Sequence, residues 1–391
     1  KGLIFSRAVR QGMKQTRWLF GCALFLTGLL LVPQPVCARE SEGWYRGDLE
    51  QESALARGVE RWVDGDLAQS KFKTGSPRID GEWLFATYMM AGMGFGQMAL
   101  EHPELREESS RRMVHCIEKL IEPKARVFER AAWSGTDPLT TLNGADDHGA
   151  YLGYLNLVLS MHRLIEPNSK FAPLNDAITA TLVRRLRASR LLLLQSYPGE
   201  VYPVDNTAAI GSIGLYDRAT GADHHALLEA VSARFRRDYI DKSTGLLIQL
   251  VDPSTGARLD APRGSGTCLA IYFLSFADRS LSRELWTSAR RELESSVLRF
   301  GVLREYPSGY SGRGDYDSGP VVFGYGFTAS GFAIGASRVN ADEASFRALY
   351  STAHLFGLPH DEANVRRYAT GGPIGDAILF AMVTAPKEAQ R

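Results

Sequence analysis

Two kinds of helical segment alternate along most of this chain, and this alternation constrains the fold more than any other feature. Segments of the first kind are amphipathic and rich in Arg and Glu, as in residues 104–121 and 281–300. Segments of the second kind are rich in Gly, Ala, Ser and aromatic residues and carry little charge, as in residues 81–100 and 318–337. A helix with one apolar stripe lies between core and solvent, whereas a helix that is apolar on all sides is buried. The pattern therefore predicts an outer and an inner layer of helices.

The alternation occurs six times at a nearly constant interval. The weakly charged segments begin at or next to six residues about 60 positions apart, namely Asp80, Asp147, Asp205, Ser265, Asp317 and Asp376. A fixed period of this length indicates a repeat architecture. Six buried helices inside six amphipathic ones form a closed double ring, in which glycine and alanine let the inner backbones approach closely. We therefore expect a single all-α domain over residues 39–391.

With this alternation, residues 45–385 resemble the (α/α)6 toroid, the six-hairpin barrel found in many glycosidases, polysaccharide lyases and sugar epimerases. The resemblance concerns the architecture and matches no single family's motif, so it implies the fold more specifically than the function. It also implies that the six loops leading from outer to inner helices emerge at one end of the ring. We expect the active site at that end.

Acidic residues are frequent in these six loops. Five of the loops have an aspartate within one or two residues of the start of a weakly charged segment. One aspartate at a helix N-terminus stabilises the helix by about 1 kcal/mol, and for Asp80 and Asp376, each taken alone, such capping is the simpler alternative to a role in the site. Two loops contain two aspartates each, in residues 146–147 and 315–317. Glycoside cleavage needs converging carboxylates, one protonated to donate to the leaving oxygen and one ionised to activate water or attack.

We therefore predict that Asp147, Asp205 and Asp317 supply the catalytic acid and base. If Glu200 points inward, it takes the place of Asp147. His148 is either a proton shuttle or substrate ligand, or a structural hydrogen-bonding histidine. The other predicted substrate-binding residues come from the same loops and are Asp80, Glu82, Trp83, Tyr202, Arg263, Tyr310, Arg313, Asp315 and Tyr316. The two arginines either bind the carboxylate of a uronic acid or offset the neighbouring aspartates.

Neither a cofactor nor a metal is expected. The sequence has no CxxC, HExxH, P-loop or GxSxG motif, so metal-finger, nucleotide-binding and serine-hydrolase interpretations have no support. Successive residues point in different directions, which argues against a metal site in residues 146–148. With 45 basic and 44 acidic residues, the net charge of +1 gives no general attraction for nucleic acid. The predicted partner is an oligosaccharide or polysaccharide substrate.

Residues 1–38 have the features of a secretory signal peptide. Lys14 and Arg17 precede an apolar run over residues 18–32, which is short for a membrane span, and Val36 and Ala38 are small residues where signal peptidase cleaves. We expect an exported protein, periplasmic or extracellular, whose mature chain begins near Arg39. The alternative is an uncleaved membrane anchor over residues 18–32, the only membrane contact that we expect. The mature chain keeps two cysteines, at positions 116 and 268, and the sequence leaves their pairing open.

The sequence thus favours an exported carbohydrate-active enzyme, with glycoside hydrolysis by rim carboxylates as the first hypothesis. Terpenoid cyclases and linalool dehydratase/isomerase-type proteins also use α/α barrels, with Asp, His and Cys lining an apolar pocket. Residues 315–317 look like part of the DxDD acid motif of some cyclases but lack its last acidic residue, and Cys268 would be the reactive cysteine. The third hypothesis is a non-catalytic protein that binds a glycan or an envelope partner. A wet bowl with carboxylates and aromatic residues favours sugar, and a dry one closing over Cys268 favours a terpenoid.

Overall fold

The computed structural model describes residues 32–65, 67–68, 71–316 and 318–387, together with residues 18, 21, 25, 27 and 28. Most of the predicted signal or anchor segment and the predicted catalytic Asp317 therefore lie outside the described residues. Within the described part of the chain, no helix is both long and apolar enough to span a bilayer.

Twelve helices of the described chain form six consecutive pairs. The first helix of each pair lies on the outside of the ring, and these outer helices are α3 (Leu49–Val63), α5 (Arg106–Ile121), α8 (Ala172–Ala188), α10 (His225–Arg234), α12 (Arg279–Leu293) and α14 (Glu343–Gly357). The second lies on the inside, and these inner helices are α4 (Pro77–Glu101), α7 (Gly149–Ile165), α9 (Pro203–Thr220), α11 (Gly264–Leu274), α13 (Phe327–Val339) and α15 (Gly372–Val383). Three short helices are α1 (Pro33–Ala38), α2 (Ser41–Arg46) and α6 (Val127–Ala132).

The inner helices close into a ring. Each packs against the next one along the chain, and α15 packs back against α4. The close packing depends on glycine, because a Cβ on Gly211 of α9 would lie 2.5 Å from the carbonyl oxygen of Phe273 in α11. A Cβ on Gly153 of α7 would lie 3.0 Å from the backbone nitrogen of Ala209 in α9. The predicted (α/α)6 toroid is thereby confirmed.

A polar bridge closes the centre of the ring. Gln97 lies in α4 and Tyr272 in α11, on opposite sides of the ring, and the Tyr272 hydroxyl donates to Gln97 Oε1 over 2.8 Å. Gln97 Nε2 donates to the carbonyl oxygen of Ala381 (2.9 Å) and to Thr384 Oγ1 (3.0 Å). One side of the bridge faces a cavity of about 210 Å³ where the inner helices end, lined in part by Leu100, Leu215 and Arg218. The other side faces the first turns of the inner helices, which carry partly exposed residues and which we call the bowl.

Three antiparallel two-stranded sheets interrupt the helical pattern. They pair β1 (Glu294–Val297) with β2 (Phe300–Leu303), β3 (Val321–Val322) with β4 (Tyr325–Gly326), and β5 (Pro359–Glu362) with β6 (Val365–Tyr368). Two of them correct the sequence-based helix boundaries. The helix predicted over residues 281–300 ends at Leu293, and the helix predicted over residues 318–337 begins only at Phe327.

Local backbone preferences explain the second correction. Two β-branched valines form β3, and the turn that follows has φ of 52° at Phe323 and 85° at Gly324. Two successive residues with positive φ form the tight turn that suits a β-hairpin, and they cannot continue a right-handed helix. The low charge of residues 318–326 therefore marks a hairpin at the rim and not the first turns of the buried helix.

Candidate active site

The bowl is lined by the first turns of the inner helices. Each inner helix is covered by two inner neighbours and an outer layer, so a partly exposed residue near its start faces the axis of the ring. The last such residue along each helix before its buried stretch lies deepest in the bowl, and these six residues are Ala86, Tyr154, Asp205, Leu269, Gly331 and Ile378. Beyond these residues the inner helices are buried until close to their C-terminal ends. The bowl is therefore shallow and closed at its base.

The two halves of the bowl differ in chemistry. The half formed by α4, α7 and α9 presents Tyr154 and Asp205, whereas the half formed by α11, α13 and α15 presents Leu269 and Ile378. A Cβ added to Gly331 of α13 or to Gly375 of α15 would meet no atom within 4 Å, so open space lies in front of both glycines. The bowl therefore offers a polar wall opposite an apolar one.

Asp205 is the acidic group that faces the axis on the polar wall. It is the third residue of α9, and its Oδ1 accepts a hydrogen bond from the Tyr154 hydroxyl at 2.8 Å. Burial raises the pKa of Asp205 to about 6, although hydrogen bonds from Ser196 and Tyr154 act in the opposite direction. The negative charges of Glu82 and Glu200 raise this pKa further. Asp205 thus exchanges a proton near neutral pH.

Glu82 and Glu200 stand beside Asp205 in a cluster that joins the first and third rim loops. Glu82 Oε1 accepts from the Tyr197 hydroxyl (2.8 Å) and from Arg78 Nε (2.9 Å). The Arg78 guanidinium lies 3.9 Å from the centre of the Tyr197 ring and 3.7 Å from Glu200 Oε2. Glu200 therefore belongs to the charge cluster around Asp205, whereas Asp147 is held by other partners.

Behind this cluster lies a buried pair, Glu129 and His148. His148 Nδ1 is 2.7 Å from Glu129 Oε1, both side chains are fully buried, and the Trp133 ring centre lies 4.5 Å from that of His148. Burial raises the pKa of Glu129. His148 has φ of 46°, and its Nε2 has no hydrogen-bond partner among the described residues. A histidine with left-handed backbone dihedral angles is uncommon. Contacts with the surrounding protein stabilise such a conformation, and here the contact is with the carboxylate of Glu129.

A second protonatable carboxyl group lies on the apolar side, behind α11. The hydroxyl of Ser265 donates to Glu305 Oε1 at 2.6 Å, and the backbone nitrogen of Gly264 donates to the carbonyl oxygen of Glu305 at 2.7 Å. Burial raises the pKa of Glu305 to about 7. Cys268, one turn below Ser265, is fully buried, and burial together with the charge of Glu305 raises the pKa of its thiol. A buried neutral thiol of this kind is a poor nucleophile.

The other predicted catalytic aspartate, Asp147, does not reach Asp205. Its Oδ2 accepts from the backbone nitrogen of Gln195 at 2.9 Å, and its carbonyl oxygen accepts from Arg185 Nη1 of the outer helix α8 at 2.8 Å. Burial raises the pKa of Asp147. Asp147 therefore connects the second and third loops on the outer side of the bowl.

Two further aspartates at the starts of inner helices fix the loops that precede them. Asp80 Oδ1 accepts from the backbone nitrogen (2.8 Å) and the hydroxyl (2.7 Å) of Thr74, whereas Ser76 is the residue that caps α4. Asp376 is buried and accepts from Trp62 Nε1 (2.7 Å) and from the backbone nitrogen of Tyr368 (3.0 Å). These hydrogen bonds account for the acidic residue at both positions without a bound substrate.

The remaining predicted substrate-binding residues lie on the lip of the bowl. Arg263 donates to Asp260 at 2.7 Å and also to Asp315, so its charge is offset by aspartates, as one of the two sequence-based alternatives proposed. Tyr310 accepts a hydrogen bond from Arg258 over 3.0 Å. Among the other predicted residues, Arg313 and Tyr316 are exposed, whereas Trp83 and Tyr202 are half-buried.

Sequence reasoning missed four residues of the site, namely Glu129, Tyr154, Tyr197 and Glu305. Glu305 had a detectable signal, because Gly301, Leu303 and Glu305 alternate along one buried face of β2 and its extension. A carboxylate on the buried face of a strand is unusual and marks a candidate site. The described residues contain no group of three or more His, Cys, Asp or Glu placed to hold a metal ion. The described cysteines, at positions 37, 116 and 268, are buried free thiols.

The chain is similar to a protein-family model and to solved structures. A family model described as linalool dehydratase/isomerase matches residues 146–309. This segment includes His148, Tyr154, Asp205, Cys268 and Glu305 but not Glu82 or Glu129. Among solved structures, the chain is similar to a selenomethionine derivative of the GH76 alpha-mannanase BT2949 of Bacteroides thetaiotaomicron, with a TM-score of 0.48 and 11% identity. The alignment covers 76% of this chain and 84% of the mannanase.

Proposed function

We propose that this protein is an acid–base enzyme that removes or relocates the hydroxyl group of a small alkenol, that is, a dehydratase/isomerase. The observation that carries the proposal is Asp205, which faces the axis of the bowl opposite an apolar wall and has a pKa of about 6. The match of residues 146–309 to the linalool dehydratase/isomerase family model supports the same chemistry. Cys268 is fully buried next to Leu269 of the apolar wall, and burial raises the pKa of its thiol, so we assign it no catalytic role.

Dehydration of an alkenol requires one acid and one base. The acid protonates the hydroxyl group, the C–O bond breaks with release of water, and the base removes a proton from the neighbouring carbon to form a new C=C bond. Asp205 suits the first role because a carboxyl group with a pKa of about 6 is partly protonated near neutral pH. The carboxylate left after this transfer is then the base that takes the proton from carbon, which restores the acid for the next turnover. After the transfer, the Tyr154 hydroxyl stabilises the carboxylate through its hydrogen bond.

The neighbouring groups complete the reaction. Glu82, already bound by Arg78 and Tyr197, lies on the same wall and stabilises positive charge that develops on the substrate carbon. If the released water adds to the other end of the allylic system and the proton returns to Asp205, the hydroxyl group has moved and no atom is gained or lost. The sequence of steps consumes no oxidant and no reductant, in agreement with the expectation of no cofactor.

The test is turnover of a panel of short allylic and tertiary alkenols by the purified protein, with diene and isomer products measured by gas chromatography. The Asp205→Asn variant keeps the size of the side chain and its acceptor for Tyr154 but removes the acid, so we expect turnover to fall by about 10²–10⁴-fold. Asp147→Asn is the matched control, because Asp147 lies outside the bowl and should stay within a few-fold of wild type. Equal losses in the two variants would contradict the assignment of Asp205.

Glycoside hydrolysis, the first hypothesis from the sequence, remains the second candidate because the lip of the bowl is strongly charged. Arg78, Glu200, Arg263 and Asp315 surround the mouth and suit a polar substrate. A panel of polysaccharides and oligosaccharides with a reducing-end assay separates the two candidates. Release of reducing ends without turnover of any alkenol would replace our proposal, and silence in both assays would favour the non-catalytic glycan- or envelope-binding hypothesis.

For the location of the protein we retain the proposal of export, on the basis of the apolar residues 18–32 and the small residues Val36 and Ala38. Glu40, two residues after the proposed cleavage site, pairs with the guanidinium of Arg366 at 2.6 Å and so belongs to the folded domain. N-terminal sequencing of the protein recovered from the periplasm or medium should begin near Arg39. Recovery with the membrane fraction and an intact N-terminus would indicate the uncleaved anchor instead.

A further inference from the structure

An exposed apolar patch borders the mouth of the bowl. It consists of Val322, Phe323, Phe327, Phe356 and Leu358, which we call the rim patch. Phe323 is 93% exposed and the other four side chains are between 45% and 57% exposed. The rings of Phe327 and Phe356 contact each other edge to face, with their centres 5.6 Å apart. Single exposed apolar residues are common, but a contiguous group beside a binding site indicates an interaction surface.

The hairpin holds Phe323 in the solvent in a fixed orientation. Phe323 and Gly324 form the turn between β3 and β4, with φ of 52° and 85°. A left-handed backbone is unfavourable for a bulky aromatic residue. The turn nevertheless places this side chain at its tip, where it does not pack against the protein core. A core role therefore does not explain Phe323.

The rim patch is continuous with the apolar wall of the bowl. Phe327 is the first residue of α13, and Gly331 lies one turn further along the same face of that helix. Open space lies in front of Gly331, on the half of the bowl that also presents Leu269 and Ile378. The rim patch and the apolar wall of the bowl therefore share the first two turns of α13.

The N-terminal part of the chain approaches the same end of the toroid. Ser41 contacts Arg347 near the start of α14 (3.3 Å), Glu40 contacts Tyr350 (3.4 Å), and Val32 borders a groove with Leu355 near its end. Earlier residues therefore pack on later residues of α14, which ends beside Phe356 and Leu358 of the rim patch. Among the described residues of this part of the chain, Phe25, Gly28 and Val32 border the same groove as Leu355, in the last turn of α14.

We propose that the rim patch inserts into the headgroup region of a phospholipid bilayer, with the mouth of the bowl facing the membrane. Exposed aromatic side chains are typical of protein surfaces that bind at the membrane–water boundary. Arg304, whose guanidinium lies 5.7 Å from the Tyr325 ring centre at the base of the hairpin, and the exposed Arg313 favour anionic headgroups. The docking itself is independent of the proposed chemistry. Entry of an apolar alkenol from the bilayer into the bowl is the part that rests on the proposed function.

The test uses tryptophan as a position-specific probe in the full chain. Phe323→Trp places an indole at the tip of the rim patch, and Leu49→Trp places one at the start of α3, at the opposite end of the toroid, where the wild-type side chain is 39% exposed. Each variant is mixed with vesicles of phosphatidylcholine and phosphatidylglycerol whose acyl chains are brominated. The wild-type chain, which has six tryptophans, supplies the background to be subtracted.

We expect the added fluorescence of Phe323→Trp to shift to shorter wavelength and to be quenched by the brominated lipid, whereas that of Leu49→Trp is not. Equal quenching of the two probes, or none in either, would overturn the proposal. A shift to shorter wavelength in Phe323→Trp without vesicles, and without lipid quenching, would instead identify a second copy of the chain as the occupant. Because the readout does not depend on turnover, its failure would leave the proposed enzyme function unaffected.

Discussion

At Asp205 the same burial that suits catalysis lowers the stability of the folded protein. Its pKa is 3.8 in an ordinary environment and about 6 in the structure, so the folded protein binds this proton more tightly than the unfolded chain. Stability therefore falls as pH rises from about 4 to about 6. Two pK units correspond to about 3 kcal/mol, and Asp205→Asn should recover up to about that much at neutral pH.

Urea unfolding of wild type and Asp205→Asn checks this prediction. The variant should be more stable than wild type at about pH 7, and the difference should shrink as the pH falls and disappear below about pH 3, where the carboxyl group is protonated in both states. Asp176→Asn is a suitable control, because Asp176 is a surface partner of Arg163 and Tyr216. A stabilisation that is the same at both pH values would show that ionisation of Asp205 is not its cause.

Individual side chains also mark the limit of sequence-based reasoning. The sequence places Asp147 and Asp205 at equivalent positions before inner helices, yet only Asp205 faces the bowl. The spacing of residues determines where a helix begins, but the left-handed backbone of His148 sets the direction of the loop before α7. The contact between Tyr197 and Glu82 spans 115 residues and depends on ring closure, which the local sequence does not reveal.

At the level of elements, the sequence predicts the inner helices well because their low charge reflects burial on all sides. It fails at residues 294–303 and 321–326, where short hairpins replace predicted helix. Periodicity cannot distinguish a few apolar residues in a strand from a buried helical turn. The first of these hairpins leads to Glu305, and the second carries the exposed Phe323.

Two glycine substitutions in inner helices should have opposite effects on stability. Gly211→Ala would place a Cβ 2.5 Å from the carbonyl oxygen of Phe273, so α9 and α11 must separate, and we expect a loss of about 1–3 kcal/mol. Gly331→Ala would place its Cβ in the open bowl, and the higher helix propensity of alanine should stabilise α13 by up to about 1 kcal/mol. Thermal and urea unfolding of both variants measure the difference. Destabilisation by Gly331→Ala as large as that by Gly211→Ala would contradict open space in the bowl.

For the whole molecule, closure of the ring brings together residues that are far apart in the sequence. The fifth and first helix pairs meet at Arg338, at the end of α13, and Glu101, at the end of α4. Arg338 is fully buried and donates to the two oxygens of Glu101 over 3.1 and 3.0 Å and to the carbonyl oxygen of Ala385 over 2.6 Å. Glu52 of α3 lies 3.7 Å away and is bound in turn by His102 at 2.9 Å. Arg338 thus lies between two carboxylates where the ring closes, and Lys387 Nζ lies 4.0 Å from Glu101 on its outer side.

Removal of the Arg338 charge should weaken the toroid as a unit. Arg338→Met keeps much of the side-chain volume but leaves Glu101 and Glu52 without their central counter-charge in a buried position, and we expect a loss of about 3–5 kcal/mol. Arg347→Met is the matched control, because Arg347 pairs with Glu343 on the surface at 3.4 Å. We expect this variant to lose less than about 1 kcal/mol of folding stability. Since every inner helix depends on two neighbours, opening the ring at one junction should lower the stability of all six pairs together. Far- and near-ultraviolet circular dichroism should therefore show one coincident unfolding transition at lower urea, whereas early loss of only the α13–α15 region would indicate that ring closure does not couple the pairs.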